Sequence, residues 1–236
     1  MIFLAICFYD IEKTDLNVYN NSIVTDNGEN FNMRMRKKKN FDSRFESCSD
    51  LVIETPEDIG NKPVYLEIGC GKGKFISGLA AKYPDRSLIA MEKVVDVAIT
   101  AMERIREEEI NNVRFLLKDA LELNDFFQKG DVERIYLNFS DPWPKGRHYK
   151  RRLTYRRFLE IYKSILPDNG EIFFKTDKRD FFDFSLEEFT ASGFKLRNIT
   201  YDLHKSEFAE NNIETEYERK FSALGSKINR VEAYLE

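Results

Sequence analysis

Histidine is nearly missing from this chain: only His148 and His204 occur in 236 residues. Cysteine is scarce too, with Cys7, Cys48 and Cys70 at no metal-ligand spacing. Together these shortages argue against a zinc site, which needs a Cys/His cluster, and against a disulfide framework, which needs paired cysteines. The odd count fits a reducing cytoplasm. Long apolar runs are absent as well, and none approaches the ~18 residues of a membrane span. The opening MIFLAICFY is apolar but short, has no basic lead-in and runs directly into DIEKTD, so it fails as a secretory signal. There are no internal repeats, and a single tryptophan, Trp143, sits between two of the six prolines.

What is present describes an ordinary soluble globular protein. The length suits one domain with a sizeable core; the 42% hydrophobic and 33% charged residues lie in the usual range. The net charge of -4 is misleading about partners, because residues 1–32 alone hold five acids (Asp10, Glu12, Asp15, Asp26, Glu29) and one base (Lys13). The remainder is neutral overall and carries basic clusters at 34–39 and 145–157. Local field, not the sum, decides polyanion binding. Residues 1–32 lack periodicity and turn Asn-rich, which reads as a poorly ordered extension, with Met33 as an alternative natural start. Residues 33–60 read as a basic arm and lead-in, and 61–236 as the folded domain.

From Val64 onward, strands and helices alternate. Strands are expected at 64–68, 87–92, 113–119, 134–139, 171–177, 194–203 and 227–236, seven in all. Helical spacing covers Lys74–Tyr83 (Phe75, Ile76, Leu79, Ala80 on one face) and 94–110 (Val94, Val97, Ala98, Ala101, Met102, Ile105). It recurs over Leu153–Leu166, ended by the turn Pro-Asp-Asn-Gly at 167–170, and over Phe181–Ser192. This alternation predicts an α/β fold with a mostly parallel sheet and helices on both faces. The last two strands follow each other with no convincing helix between them, so one of them is expected to run antiparallel.

Such sheets bind ligands at the carboxyl ends of their strands. LEIGCGKGKF places Gly69, Gly71 and Gly73 between a strand and a helix, where they serve either close ligand approach or simple packing. Glu92 ends the next strand, placed to accept both ribose hydroxyls or else to sit as a surface charge. Asp119 ends the third, as an acceptor for an adenine amine or as a helix N-cap. Glu67 discriminates between adenosine ligands. A carboxylate within a doubly covered strand repels a pyrophosphate but welcomes an ammonium or sulfonium, which favours S-adenosylmethionine over NAD.

EIGCGKG at 67–73, SDPWPK at 140–145 with its basic tail, KTD at 175–177 and TEYE at 215–218 resemble the bacterial-type tRNA (guanine-N7-)-methyltransferases over about residues 33–236. The resemblance implies a Rossmann-like class I methyltransferase fold, tRNA as partner and methylation of a variable-loop guanine. It implies a donor site of Glu67, Glu92, Asp119 and Asp141, with Asp141 catalytic. Substrate contact falls to Lys145, Asp177, Thr215, Glu216, Tyr217 and Glu218, and RNA contact to Arg147, His148, Tyr149, Lys150, Arg151 and Arg152. Two departures are visible: residues 1–32 have no counterpart, and Gly146 stands where relatives commonly carry a base. No membrane or metal is expected, the location is cytoplasmic, and both monomer and homodimer remain open.

The chemistry of these residues agrees. Guanine N7 has a free lone pair, so no general base is needed, and Asp141 serves orientation and electrostatics as the base turns cationic. Trp143 stacks on the guanine or anchors its loop. No acid interrupts residues 142–159, so the run Lys145, Arg147, Lys150, Arg151, Arg152, Arg156, Arg157 reads as phosphate-binding. Residues 34–39 read as a mobile RNA arm or a solubilising terminus. Asp177 and Glu218 are candidates for the guanine N1–N2 edge, against helix capping and an exposed charge respectively. His148 belongs to the RNA-facing loop and His204 is structural; Cys70 is a small filler. Exocyclic-amine methylation and a non-catalytic RNA-binding role are the competing readings.

Overall fold

The computed structural model describes residues 40–236 and the backbone of two short strands, β1 (Ser22–Val24) and β2 (Asn30–Asn32), which pair antiparallel. The basic arm at 34–39, Met33 and most of the Asn-rich extension lie outside the described residues. By contacts the chain divides into Met1–Arg44 and Phe45–Glu236. A short helix, α1 (Phe41–Glu46), spans that division.

In the second unit every residue of β3 (Val64–Ile68) is buried, as the central strand of a doubly covered sheet must be. The chain continues through α2 (Lys74–Lys82), β4 (Leu88–Met91), α3 (Val95–Glu107), β5 (Val113–Leu116), β6 (Val132–Asn138), α4 (Arg156–Ile165), β7 (Glu171–Thr176), α5 (Arg179–Ala191), β8 (Lys195–Thr200), α6 (Glu216–Ala223) and β9 (Asn229–Tyr234). The seven strands β3–β9 lie in the order β5-β4-β3-β6-β7-β9-β8. Six run parallel, and β9 is inserted antiparallel between β7 and β8. One apolar cluster packs α2 and α3 against one face (Phe75, Ile76, Leu79, Ala98, Ala101, Met102, Ile105). The other packs α4 and α5 against the opposite face (Phe158, Leu159, Tyr162, Phe181, Phe182, Phe189). Removing that apolar area from water, at about 25 cal/mol per Å², is what drives the layers together.

Two details differ from the sequence expectation. In α3, Ile99 and Asp96 are buried while Val94 and Val97 are only half-buried, because the helix starts one residue later and its inner face is rotated accordingly. Between β8 and β9 there is a helix after all, α6. It gives no apolar period because its one fully buried residue is an acid, Glu218. What forms it is a cap: the Thr215 hydroxyl accepts the Glu218 N–H at 2.9 Å.

The order of the strands sets the site. The chain first builds outward from β3 through β4 to β5, then crosses to β6 on the other side of β3. Strand order reverses between β3 and β6, and the crevice at their carboxyl ends is where ligands bind in such sheets.

Candidate active site

The loop after β3 is folded over that crevice by backbone bonds. The N–H groups of Gly69 and Cys70 both donate to the Met91 carbonyl, at 2.8 and 3.0 Å. Gly69 has φ +81, and a Cβ there would meet nothing, so the loop leaves open space above it. Gly73 serves a different end. A Cβ on it would lie 2.8 Å from the Ala101 Cβ, so this glycine allows close packing of the loop on α3 rather than ligand approach. Glu92 closes the loop from the neighbouring strand, accepting N–H from Gly71 on Oε2 (3.2 Å) and from Val94 on Oε1 (3.0 Å). Burial raises its carboxyl above the ordinary glutamate value. Asp119 caps the turn Ala120–Asp125 by accepting the Leu121 N–H at 3.1 Å, and Lys93 lies 3.8 Å from its other oxygen. The capping role is therefore occupied by one oxygen only.

Glu67 is the unusual group. It is 2% exposed, its Oε1 accepts from the Asn138 amide at 3.0 Å, and its Oε2 is buried with no partner among the described residues. Burial pushes its carboxyl up to about 8, although Asn138 and Lys175 favour the charged form. One strand away Ser140 Oγ is also buried without a partner. Buried polar atoms are almost always satisfied. A lone acceptor at this depth, in a crevice with open space over Gly69, fits a ligand that brings a cationic N–H donor. Cys70, beside it, has its thiol raised by burial and by Glu67 and Glu92, so it stays neutral and acts as filler.

After β6 the chain turns through Phe139 (φ 53) and Trp143 (φ 41), both in the left-handed region. Asp141 lies exposed on this turn. Trp143 is half-buried and outside the core, with Arg151 over its ring at 4.9 Å and His148 edge-on at 5.8 Å. The turn is held by Arg152, whose Nε donates to the Pro142 carbonyl at 2.8 Å and Nη2 to the Trp143 carbonyl at 3.3 Å. Its guanidinium packs on Phe184 and Phe181 at 4.3 and 5.4 Å. Arg152 is thus a clamp on the Asp141 turn, a task that the basic run did not reveal. Arg156 is likewise committed, to Glu188. Lys145, Lys150, Arg151 and Arg157 have no carboxylate partner among the described residues, whereas Arg147 donates to His148. Desolvation first, and then the neighbouring cations Arg151, Arg147 and Lys145, hold the His148 imidazole below its ordinary value.

Beyond β7, Asp177 accepts on Oδ2 from Lys178 Nζ (2.6 Å) and from the Tyr217 hydroxyl (3.3 Å); Lys178, not Asp177, is the N-cap of α5. Tyr217 stacks on Phe221 at 4.1 Å and lies tilted against Phe139 at 5.0 Å, which ties α6 to the Asp141 turn. Glu216 is exposed and paired with Arg104. Glu218 is neither exposed nor available to a base edge. It is 0% exposed, with Oε2 on Lys175 at 2.7 Å and Oε1 taking the Asn212 amide at 2.6 Å, 3.1 Å from His204 Nε2. Lys175 also donates to the Ile213 carbonyl at 3.0 Å and lines a cavity of about 330 Å³ whose wall includes Asn138. Sequence reading missed Lys175 as an individual residue; a lysine inside an otherwise apolar strand, IFFKT, was the available signal.

A row of acids thus follows the carboxyl edge of the sheet: Asp119, Glu92, Asp141 and Asp177 after β5, β4, β6 and β7, and Glu67 as the penultimate residue of β3. That arrangement, on this strand order, defines a Rossmann-like methyltransferase. Solved structures share the fold: an antibiotic-related methyltransferase (TM-score 0.58, 18% identity, 77% of this chain and 94% of that one) and the 16S rRNA methyltransferase KamB (TM-score 0.55, 15% identity, 86% and 96%). The methyltransferase family model Methyltransf_4 matches residues 61–231. Among curated proteins, the tRNA (guanine-N(7)-)-methyltransferase of Staphylococcus saprophyticus is 50% identical over 173 residues, 73% of this chain and 82% of its own length. That of Exiguobacterium sibiricum is 46% identical over 210 residues, 85% and 98%. The chain belongs to the tRNA (guanine-N7-)-methyltransferase family.

Proposed function

We propose that this protein transfers a methyl group from S-adenosylmethionine to N7 of a guanine in the variable loop of tRNA. The observation that carries the reading is the Glu67 carboxyl oxygen left without a partner among the described residues, buried in the crevice one strand from the Asp141 turn and its basic run. S-adenosylmethionine supplies an electrophilic methyl on a sulfonium centre. Glu67 and Asn138 would hold its ammonium end, Glu92 its ribose and the non-capping oxygen of Asp119, beside Lys93, its adenine. Asp141 orients the guanine and lowers the energy of the cationic base as it forms. Asp177 takes the guanine edge on Oδ1, which has no partner among the described residues, and Lys145, Lys150 and Arg151 hold phosphates. Residues 61–236 form the catalytic domain, with 33–60 as a basic lead-in, and the reaction takes place in the cytoplasm with its tRNA. Incubation with unmodified tRNA and labelled donor, then borohydride–aniline cleavage, should place the label on one variable-loop guanine; label on an exocyclic amine would replace this reading.

Donor binding should expel a proton. With its carboxyl near 8 in the empty protein, Glu67 is largely protonated at pH 7, and its stabilising contribution is lost as pH rises from the unfolded value of 4.5 through 8. An arriving ammonium favours the carboxylate, so affinity should rise with pH, by up to about tenfold per unit, until 8. Calorimetry in buffers of different ionisation enthalpy reads the released proton directly. Glu67→Gln should abolish the release and weaken donor binding about 10–100-fold, the scale of a lost charge-assisted hydrogen bond.

The two adjacent arginines should separate. Arg151→Ala should lower the salt dependence of tRNA affinity by about 0.7–0.9 in log–log slope while leaving the Asp141 turn in place. Arg152→Ala should instead reduce kcat with little change in slope. Equal slope changes for both would restore Arg152 to the RNA surface.

A further inference from the structure

The edge of the sheet continues past the acids. Because β9 runs antiparallel, its amino end lies beside the carboxyl end of β7, with Thr176 opposite Asn229 and the Asn229 amide donating to the Thr176 carbonyl at 2.9 Å. Lys227 precedes that end, and Tyr201 follows the carboxyl end of β8, where Thr200 lies opposite Arg230. Asn229, Lys227, Ser226, Tyr201, Lys178 and Arg179 wall a concavity of about 370 Å³ that shares Asp177 as one side. That is within the size range of small-ligand sites.

Its lining is basic and aromatic. Arg179 lies over one face of the Tyr201 ring at 3.9 Å and is fixed there by Asp183 at 2.8 Å; Phe182 meets the ring edge-on at 5.6 Å. Tyr201 is nevertheless 43% exposed, one of few large side chains so placed. A ring held by a cation on one face and still 43% exposed at the wall of a concavity can serve as a stacking platform. Lys227 is exposed and has no carboxylate partner among the described residues, unlike Lys178, which is on Asp177. A polyanion is what an unpaired lysine beside such a platform recognises.

We infer that this concavity is a subsite for the nucleotide next to the target guanosine, with Lys227 on its phosphate and the Tyr201 ring against its base. The inference rests on the proposed function and extends it along the same edge: donor at β3–β5, target at β6 and β7, neighbour at β9 and β8. Strands are about 4.8 Å apart, so β9 and β8 stand one and two spacings beyond β7, which Asp177 follows, a distance on the order of one backbone step.

The test uses full-length protein, intact tRNA and two tRNAs abasic on either side of the mapped guanosine. Tyr201→Ala should raise KM for intact tRNA on the order of tenfold with kcat within about twofold, and Tyr201→Phe should match wild type. One of the abasic tRNAs should cost wild type the same factor and leave Tyr201→Ala unaffected. Lys227→Ala should lower the salt slope by about 0.7–0.9 with donor affinity unchanged. If both abasic tRNAs lose equally in wild type and Tyr201→Ala, or the Lys227→Ala slope stays at the wild-type value, the subsite is overturned. Failure of the wild type itself to methylate intact tRNA would instead overturn the functional reading.

Discussion

Asp141→Ala should lower kcat on tRNA by about 10²–10³, while donor affinity measured by calorimetry changes only a few-fold. The magnitude is that of removing one preorganised electrostatic group from a reacting centre. The separation of the two readouts follows from position. Asp141 lies exposed on the turn after β6, whereas the donor's cationic end is assigned to Glu67 at the buried floor of the crevice. Asp141→Asn divides the carboxylate's two tasks. It keeps an acceptor in place but removes the charge, so an intermediate rate is expected if both orientation and charge matter. Wild-type turnover in Asp141→Ala would refute the assignment outright.

Lys175→Met should damage stability and substrate binding together. It leaves Glu218, 0% exposed, as a buried carboxylate whose cation is gone. Breaking a buried pair in this way costs about 3–5 kcal/mol, which for a domain of this size lowers Tm by roughly 6–20 °C. Burial already pushes the Lys175 ammonium below the usual lysine range, and Glu218 pulls it back. The double variant Lys175→Met, Glu218→Gln removes both charges and should recover most of the lost stability, which a simple packing defect would not do. A second consequence distinguishes an electrostatic role from a structural one. Lys175 is the cation that favours ionised Glu67, with Glu92 opposing it and Asn138 as hydrogen-bond donor. Without Lys175 the proton released on donor binding should persist to higher pH. Recovery of Tm in the double variant without that shift would leave Lys175 a purely structural residue.

Much of the architecture could be read from local pattern. The buried run VYLEI has the bounds of β3, and Phe75, Ile76, Leu79 and Ala80 form the inner face of α2 as the 3.6 period requires. Periodicity failed at α6, where the defining interactions are a threonine cap and an ion pair to a strand 43 residues away. It also failed to separate the arginines of the basic run, because Arg151 and Arg152 are alike in sequence and differ only in what lies under them. Under Arg152 are Phe181 and Phe184 and two carbonyls; under Arg151 is the Trp143 ring. Gly73 belongs to the same group, since the neighbour that requires it, Ala101, is in another helix.

The sequence by itself determined the strand–helix alternation, the acids and glycines at strand ends, and the unbroken basic run, because each is encoded by residues close together along the chain. Only the tertiary structure decided which of those groups are still available for chemistry. Glu67 keeps an unpaired oxygen while Glu218 has none, and that difference comes from partners supplied by distant strands. Availability depends on the sum of long-range contacts around a group, and those form only when the sheet closes.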